Sequence, residues 1–317
     1  MRLVMISEKS TVRTAAVPRP AVVVGDDEKS TDPANGMRLV DLSALFSTLP
    51  GMSETTLTTA VDAAIWVADP TNRHRLESAL SEMTSAAVFE FSPERHRLHP
   101  PVTAPGKVLC VGLNYRDHAV ECGQSIPDRA VWFNKLPTAL CGPDDPIVLP
   151  PVAEFVDYEA ELVVVIGCGG RNIPHDEAMS HVAGYTCGND VTARDWQFGR
   201  PGGQWFAGKT FDTFAPLGPV LVTPDELGDP HDLAIECRVH DEIRQRSRTS
   251  QLIFPIDTLI AEISLVCTLC PGDLIYTGTP PGIGYARTPP VPLAVGNVVR
   301  IEIERIGVLR NTVADGN

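Results

Sequence analysis

Glu159 and Glu161 stand at the leading end of DYEAELVVVIG, whose remainder, Leu162 to Ile166, is continuously apolar. Alternate side chains of a strand share a face, so the two carboxylates lie about 7 Å apart along the backbone and can converge on one cation. A buried, uncompensated carboxylate is costly and two neighbours repel; a divalent metal between them relieves both problems. The other reading is a strand that simply begins in solvent, and the pair by itself leaves both open. Asp190 closes the apolar run of GYTCGNDVTARDWQ and adds a third carboxylate, with Thr192, Arg194, Asp195 and Gln197 crowding the same end. Three carboxylates without Cys or His make an all-oxygen donor set, which suits Mg²⁺ or Mn²⁺ better than zinc. Asp157, two residues before Glu159, could be a fourth ligand, but a solvated or hydrogen-bonding role is the one preferred for it.

A second group could move protons. In GLNYRDHAVECG, a helical turn over residues 116 to 122 places His118 and Glu121 on one face, where the carboxylate can orient the imidazole. Such a pair can activate water, although a surface ion pair has the same spacing. Lys209, in the otherwise apolar AGKTFD, offers a cation for developing negative charge or for a substrate carboxylate. GDLIYTGTPPGIG leads into a Gly and Pro loop that lacks the residues of a P-loop and the spacing of a dinucleotide fingerprint, so close backbone approach to a small anion is the use it suggests.

These segments, together with FNKLPTALCGPDDPIVLP, resemble the fumarylacetoacetate hydrolase superfamily in order and spacing across residues 105 to 305. The resemblance implies a β-rich roll, commonly a homodimer, with Mg²⁺ or Mn²⁺ held by Glu159, Glu161 and Asp190. It places the family's lid pair on His118 and Glu121 and its active-site lysine on Lys209. Gln197 and Thr279 match positions that contact the 2-oxo acid end of the substrate, and Arg194 supports the site. The implied activity is hydrolysis of a C–C bond in an acylpyruvate or related 2,4-diketo acid through a metal-bound enolate. Oxaloacetate-type decarboxylation and isomerisation of a hydroxyheptadienedioate type are the alternatives, followed by a catalytically silent ligand-binding member. One departure is His240-Asp241, where relatives often place Asn-Gly in a hairpin turn.

The elements that must position these residues are mostly strands. Apolar runs recur beyond residue 100, separated by Gly, Pro, Asn and Asp, with helical stretches expected at 175 to 183 and 255 to 267. The expected architecture is mostly β with some α: a small α+β N-terminal domain over residues 1–100, then the catalytic domain over 101–317, joined at the proline-rich LHPPVTAPGK. In the first part, MRLVMIS and MRLVDLS read as short strands flanking a polar loop at Gly25 to Gly36, and residues 54 to 83 carry helical spacing.

A net charge of −14, from 26 basic and 40 acidic residues, argues against nucleic-acid and anionic-membrane surfaces and for a small-molecule substrate. No apolar run approaches the ~20 residues of a membrane span, and the N-terminus does not look like a signal peptide, so a cytoplasmic protein is expected. The eight cysteines read as reduced core residues, Cys267 and Cys270 included. Trp196, Phe198 and Trp205 in DWQFGRPGGQW suggest apolar or extended substrates in a distal pocket shaped also by the lid around residues 115 to 130.

Overall fold

The computed structural model describes residues 1–9, 17–24, 37–48, 57–83, 87–121 and 123–316; the expected loop at Gly25 to Gly36 and residues 54–56 lie outside them. The fold is mostly β with some α. Its centre is a twelve-stranded mixed sheet. The strand Ala160–Ile166 lies inside it, antiparallel to Val182–Asn189 on one side and to Leu274–Tyr276 on the other. Every residue of Ala160–Ile166 is buried, which is why the run is apolar on both faces rather than alternating. Val108–Gly112 continues the sheet parallel to Leu274–Tyr276, and Val131–Lys135 closes that edge.

The other edge belongs to the first hundred residues. Arg2–Glu8 pairs with Ala215–Val222 in the register Leu3↔Leu221, so the sheet crosses the position near residue 100 where the composition changes. Arg19–Val23, unanticipated in the sequence, runs between Arg2–Glu8 and Arg38–Asp41 as the middle of a meander. The helices Ala60–Val67 and Pro70–Glu82 fall within the expected helical stretch. Thr59 and Asp62 form a reciprocal capping box at the first, and Asp69 caps the second with Pro70 in its opening turn. The apolar faces of the first helix and of Arg2–Glu8 join one core cluster with Val163, Val165 and Leu274.

A five-stranded sheet packs beside the centre, ordered Glu242–Arg248, Ala234–Val239, Val298–Ile303, Gly307–Asp315 and Ile147–Leu149. The hairpin between its first two strands turns at His240-Asp241, with His240 at φ +54°. The helix expected at 255 to 267 spans Ile256–Val266. The one expected at 175 to 183 is corrected: a single 3₁₀ turn, Ala178–His181, is followed at Val182 by the strand that pairs with Ala160–Ile166. Eight consecutive buried positions from Val182 gain a ladder and a core there, and that outweighs a weak helical preference. Of the described cysteines all seven are unbridged; Cys110, Cys141, Cys187 and Cys237 are buried as expected, while Cys168 and Cys270 are exposed.

Candidate active site

Three connections from the sheet converge on one cavity. After Val108–Gly112 the chain passes through Asn114, whose amide NH₂ donates to Phe254 O at 3.0 Å and Thr277 O at 2.7 Å while its oxygen accepts from Phe254 N at 2.8 Å. This buried side chain clasps the loops that follow two neighbouring strands and sets the start of the helix Arg116–Glu121. On that helix His118 Nδ1 lies 3.1 Å from Glu121 Oε2, and Glu121 Oε1 accepts from Gly282 N at 2.8 Å. Asp117 ties the helix down from the other side by accepting from Ser247 Oγ at 2.8 Å.

The carboxylates lie below. Glu159 precedes the strand, Glu161 is its second residue and Asp190 follows the partner strand, so the pairing Ala160↔Asn189 brings all three together. One oxygen from each lies within 4.8 Å of the others. Their environments differ. Glu159 receives Arg194 Nη1 at 2.7 Å on one oxygen and Lys209 Nζ at 2.9 Å on the other. Burial raises its pKa, but those two cations outweigh burial and hold the carboxyl below the usual range. Glu161 accepts from Gly278 N at 2.8 Å and has no ion pair among the described residues. Burial, then the charges of Asp190 and Glu159, push it well above the usual range. Gly278 can present its N–H there because it sits at φ +107°, with Asn114 Cβ 2.7 Å from where a side chain would begin.

Lys209 Nζ bridges Glu159 and Asp190, at 2.9 and 2.7 Å. Burial lowers its pKa, and the two carboxylates more than restore it. Arg194 spans Glu159 and Asp157, contacting Asp157 Oδ2 through Nε at 2.9 Å and Nη2 at 2.8 Å. Asp157 is fully buried and also accepts from the backbone of Tyr158, Gly284 and Tyr285. Its hydrogen-bonding role is therefore the one the fold uses. A third buried cation, Lys135, was not singled out in the sequence. Its Nζ lies 2.6 Å from Asp190 Oδ1 and donates to the carbonyls of Val191, Lys209 and Phe214.

Four buried carboxylates thus face three buried cations, and the deficit falls on Glu161. Asp190 Oδ1 accepts no hydrogen bond, because the protons of Lys135 go to carbonyls. A hard divalent cation fits this set: it would more than offset the remaining negative charge, which falls on Glu161, and find three carboxylate oxygens already gathered.

A cavity of about 470 Å³ opens above, lined by His118, Glu121, Glu159, Gln197, Lys209 and Thr279. Six of the eight sequence candidates therefore reach it, and Glu161 and Asp190 sit beneath. Of the aromatic residues expected there, Phe198 and Trp205 line the cavity, whereas Trp196 packs against Phe211 and under Arg200 instead.

A family model described as Fumarylacetoacetate (FAA) hydrolase C-terminal matches residues 107–314. The chain belongs to this family. It is an enzyme, similar over 213 residues at 54% identity to mitochondrial oxaloacetate tautomerase FAHD2A of Bos taurus, covering 67% of this chain and 68% of that one. The crystal structure of 5-carboxymethyl-2-hydroxymuconate delta-isomerase from Mycobacterium smegmatis matches over all of both chains with a TM-score of 0.71 and 33% identity. Maleylpyruvate hydrolase from Sphingobium sp. SYK-6, in complex with manganese(II) and pyruvate, does so with a TM-score of 0.74 and 30% identity. These structures share the β-rich architecture, and among the described residues no helix is long and apolar enough to cross a membrane.

Proposed function

We propose that the protein catalyses metal-dependent keto–enol interconversion of a 2-oxo acid, with oxaloacetate as the reference substrate. The observation that carries this reading is the 54% identity to the bovine oxaloacetate tautomerase. The geometry supplies the parts that enolisation requires. Glu159, Glu161 and Asp190 would hold Mg²⁺ or Mn²⁺, whose chemistry there is Lewis acidity toward the 2-oxo oxygen. His118 removes the proton from C3; the C–H pair becomes the C2–C3 π bond, the carbonyl pair moves to oxygen, and that oxygen takes a proton from water. Glu121 engages Nδ1 at 3.1 Å, so Nε2 is the proton-carrying atom we assign. Lys209, kept cationic by its two carboxylates, stabilises negative charge on the oxygen.

Gln197 accepts from Arg194 Nη1 at 3.0 Å through its amide oxygen, which turns its NH₂ toward the substrate carboxylate. The hydroxyl of Thr279 gives its proton to Ala160 O and accepts from Gln245 Nε2 at 2.8 Å. It therefore has no proton for the substrate and contributes the shape of the wall.

Hydrolysis of an acylpyruvate, placed first in the sequence reading, is kept as the second reading. The His118–Glu121 pair could activate water, and the maleylpyruvate hydrolase neighbour supports it. The test is decay of the enol absorbance of oxaloacetate, beside pyruvate release from acetylpyruvate, with Mg²⁺, Mn²⁺ or EDTA. Metal-dependent enol decay that His118→Ala slows at least a hundredfold is expected. Acetylpyruvate cleavage with enol decay at the solvent rate would replace the first reading by the second.

A further inference from the structure

The cavity is graded from a charged floor to an aromatic mouth. At the floor, Arg194 and Lys209 are the only Lys or Arg side chains in the lining among the described residues, and each is engaged by two carboxylates. Towards the opening the lining changes to the exposed Phe198 and Tyr285 with the half-buried Trp205, and the exposed ionisable side chain that the lid adds to the lining is an acid, Glu121. A diacid bound by one end would leave its second carboxylate among aromatic rings and beside Glu121, with no further lysine or arginine among the described lining residues to meet it.

The aromatic mouth is a built feature. Phe198 and Tyr285 lie 5.5 Å apart between centroids, and Tyr285 meets Phe155 edge-on, also at 5.5 Å. Packing does not account for these rings, since Phe198 keeps 55% and Tyr285 47% of its surface exposed. Tyr285 is nevertheless fixed, because its backbone N–H donates to Asp157 Oδ2 at 3.0 Å, the oxygen that Arg194 also grips. Mouth and floor therefore share one anchor. On the opposite wall Trp205 lies across the strand at Gly112, where any side chain would collide with the indole, and Phe133 supports it edge-on at 5.6 Å. A cavity of about 470 Å³ is also of the size that encloses larger organic ligands, on the order of 300–1,000 Å³, and exceeds the needs of a four-carbon acid.

We propose that the mouth selects 2-oxo acids with an aromatic distal group, so that the enzyme enolises 3-aryl-2-oxo acids, of which phenylpyruvate is the simplest, in preference to four-carbon diacids. The inference rests on the enolisation reading and specifies the substrate class. The 2-oxo acid end lies on the floor, and the aryl ring stacks among Phe198, Trp205 and Tyr285.

The test compares kcat/KM for keto–enol exchange of phenylpyruvate and of oxaloacetate with Mg²⁺ present, in the wild type, Tyr285→Ala and Phe198→Ala. The expected ratio of phenylpyruvate to oxaloacetate exceeds one in the wild type and falls about tenfold in each variant, through KM. Both side chains are exposed, so the variants keep the fold. A wild-type ratio below one, or a ratio that neither variant moves, overturns the inference while leaving enolisation standing. Exchange of neither acid overturns the enolisation reading as well.

Discussion

On the sheet side of Asp190, Lys135 gives its protons to the carbonyls of Val191, Lys209 and Phe214; on the pocket side, Lys209 gives its protons to the carboxylates of Glu159 and Asp190. Both ammonium groups are at most 2% exposed and both touch the same aspartate. Lys135 thus ends three backbone segments that would otherwise hold buried, unpaired carbonyls. Lys209 is held by side chains alone and lines the cavity. A buried cation tied to backbone is part of the scaffold, while one tied to ionisable groups facing a cavity is disposed for chemistry.

The sharpest way to break that distinction is Lys135→Met. It orphans three carbonyls and removes one cation from Asp190, so urea unfolding is expected to show a loss of about 3–5 kcal/mol. Full stability with turnover lost would reverse the roles of the two lysines. Lys209→Met is expected to lower turnover by roughly 10²–10³, since it removes a charge placed for the transition state. Its stability loss is expected to be smaller than that of Lys135→Met, because Glu159 keeps Arg194 and Asp190 keeps Lys135. Steady-state kinetics and urea unfolding on the same preparations check both halves.

Why one lysine was legible in the sequence and the other was not follows from the same contacts. Lys209 interrupts an apolar stretch and reads as a site residue, whereas Lys135 in VWFNKLP interrupts one too without any neighbouring pattern that gives it a role. Its carbonyl partners lie 56, 74 and 79 residues away, so no local spacing marks them. The carboxylates were readable because strand alternation is local: Glu159 and Glu161 share a face whatever the sheet does. Asp190 is named as the third ligand by the resemblance, but that it joins them depends on the Ala160↔Asn189 register, which no sequence spacing gives and the pairing supplies. His118 and Glu121 were readable because a single helical turn contains both. The 3₁₀ turn Ala178–His181 was misread as a helix because the strand that truncates it is decided by a partner elsewhere in the chain. Local periodicity is therefore enough for acids on one strand and a pair on one turn, and insufficient where the partner is distant backbone.

Glu121→Gln probes the pocket side further out. The amide has one acceptor for two duties, Gly282 N and His118 Nδ1. If its oxygen stays on Gly282, its NH₂ faces Nδ1 and drives the imidazole proton onto Nε2, the atom assigned to take the substrate proton. Turnover is expected to fall about ten- to a hundredfold, less than in His118→Ala because the Glu121 side chain is 24% exposed and water can assume part of its role. Unchanged kinetics would make the pair a surface ion pair and remove Glu121 from the site.

The smallest effect is the coupling between the two lysines, and it tests whether they share anything beyond proximity. Each single variant leaves Asp190 with one cation, whereas Lys135→Met with Lys209→Met leaves it buried with none. The double variant should then lose more than the sum of the two single losses, by on the order of 1 kcal/mol. The comparison is made by urea unfolding in EDTA, where no added cation can substitute for either ammonium. Additivity would mean that Lys135 acts through its three carbonyls alone and that its 2.6 Å approach to Asp190 contributes nothing. Coupling of the expected sign would identify Asp190 as the residue through which scaffold and site are electrostatically joined.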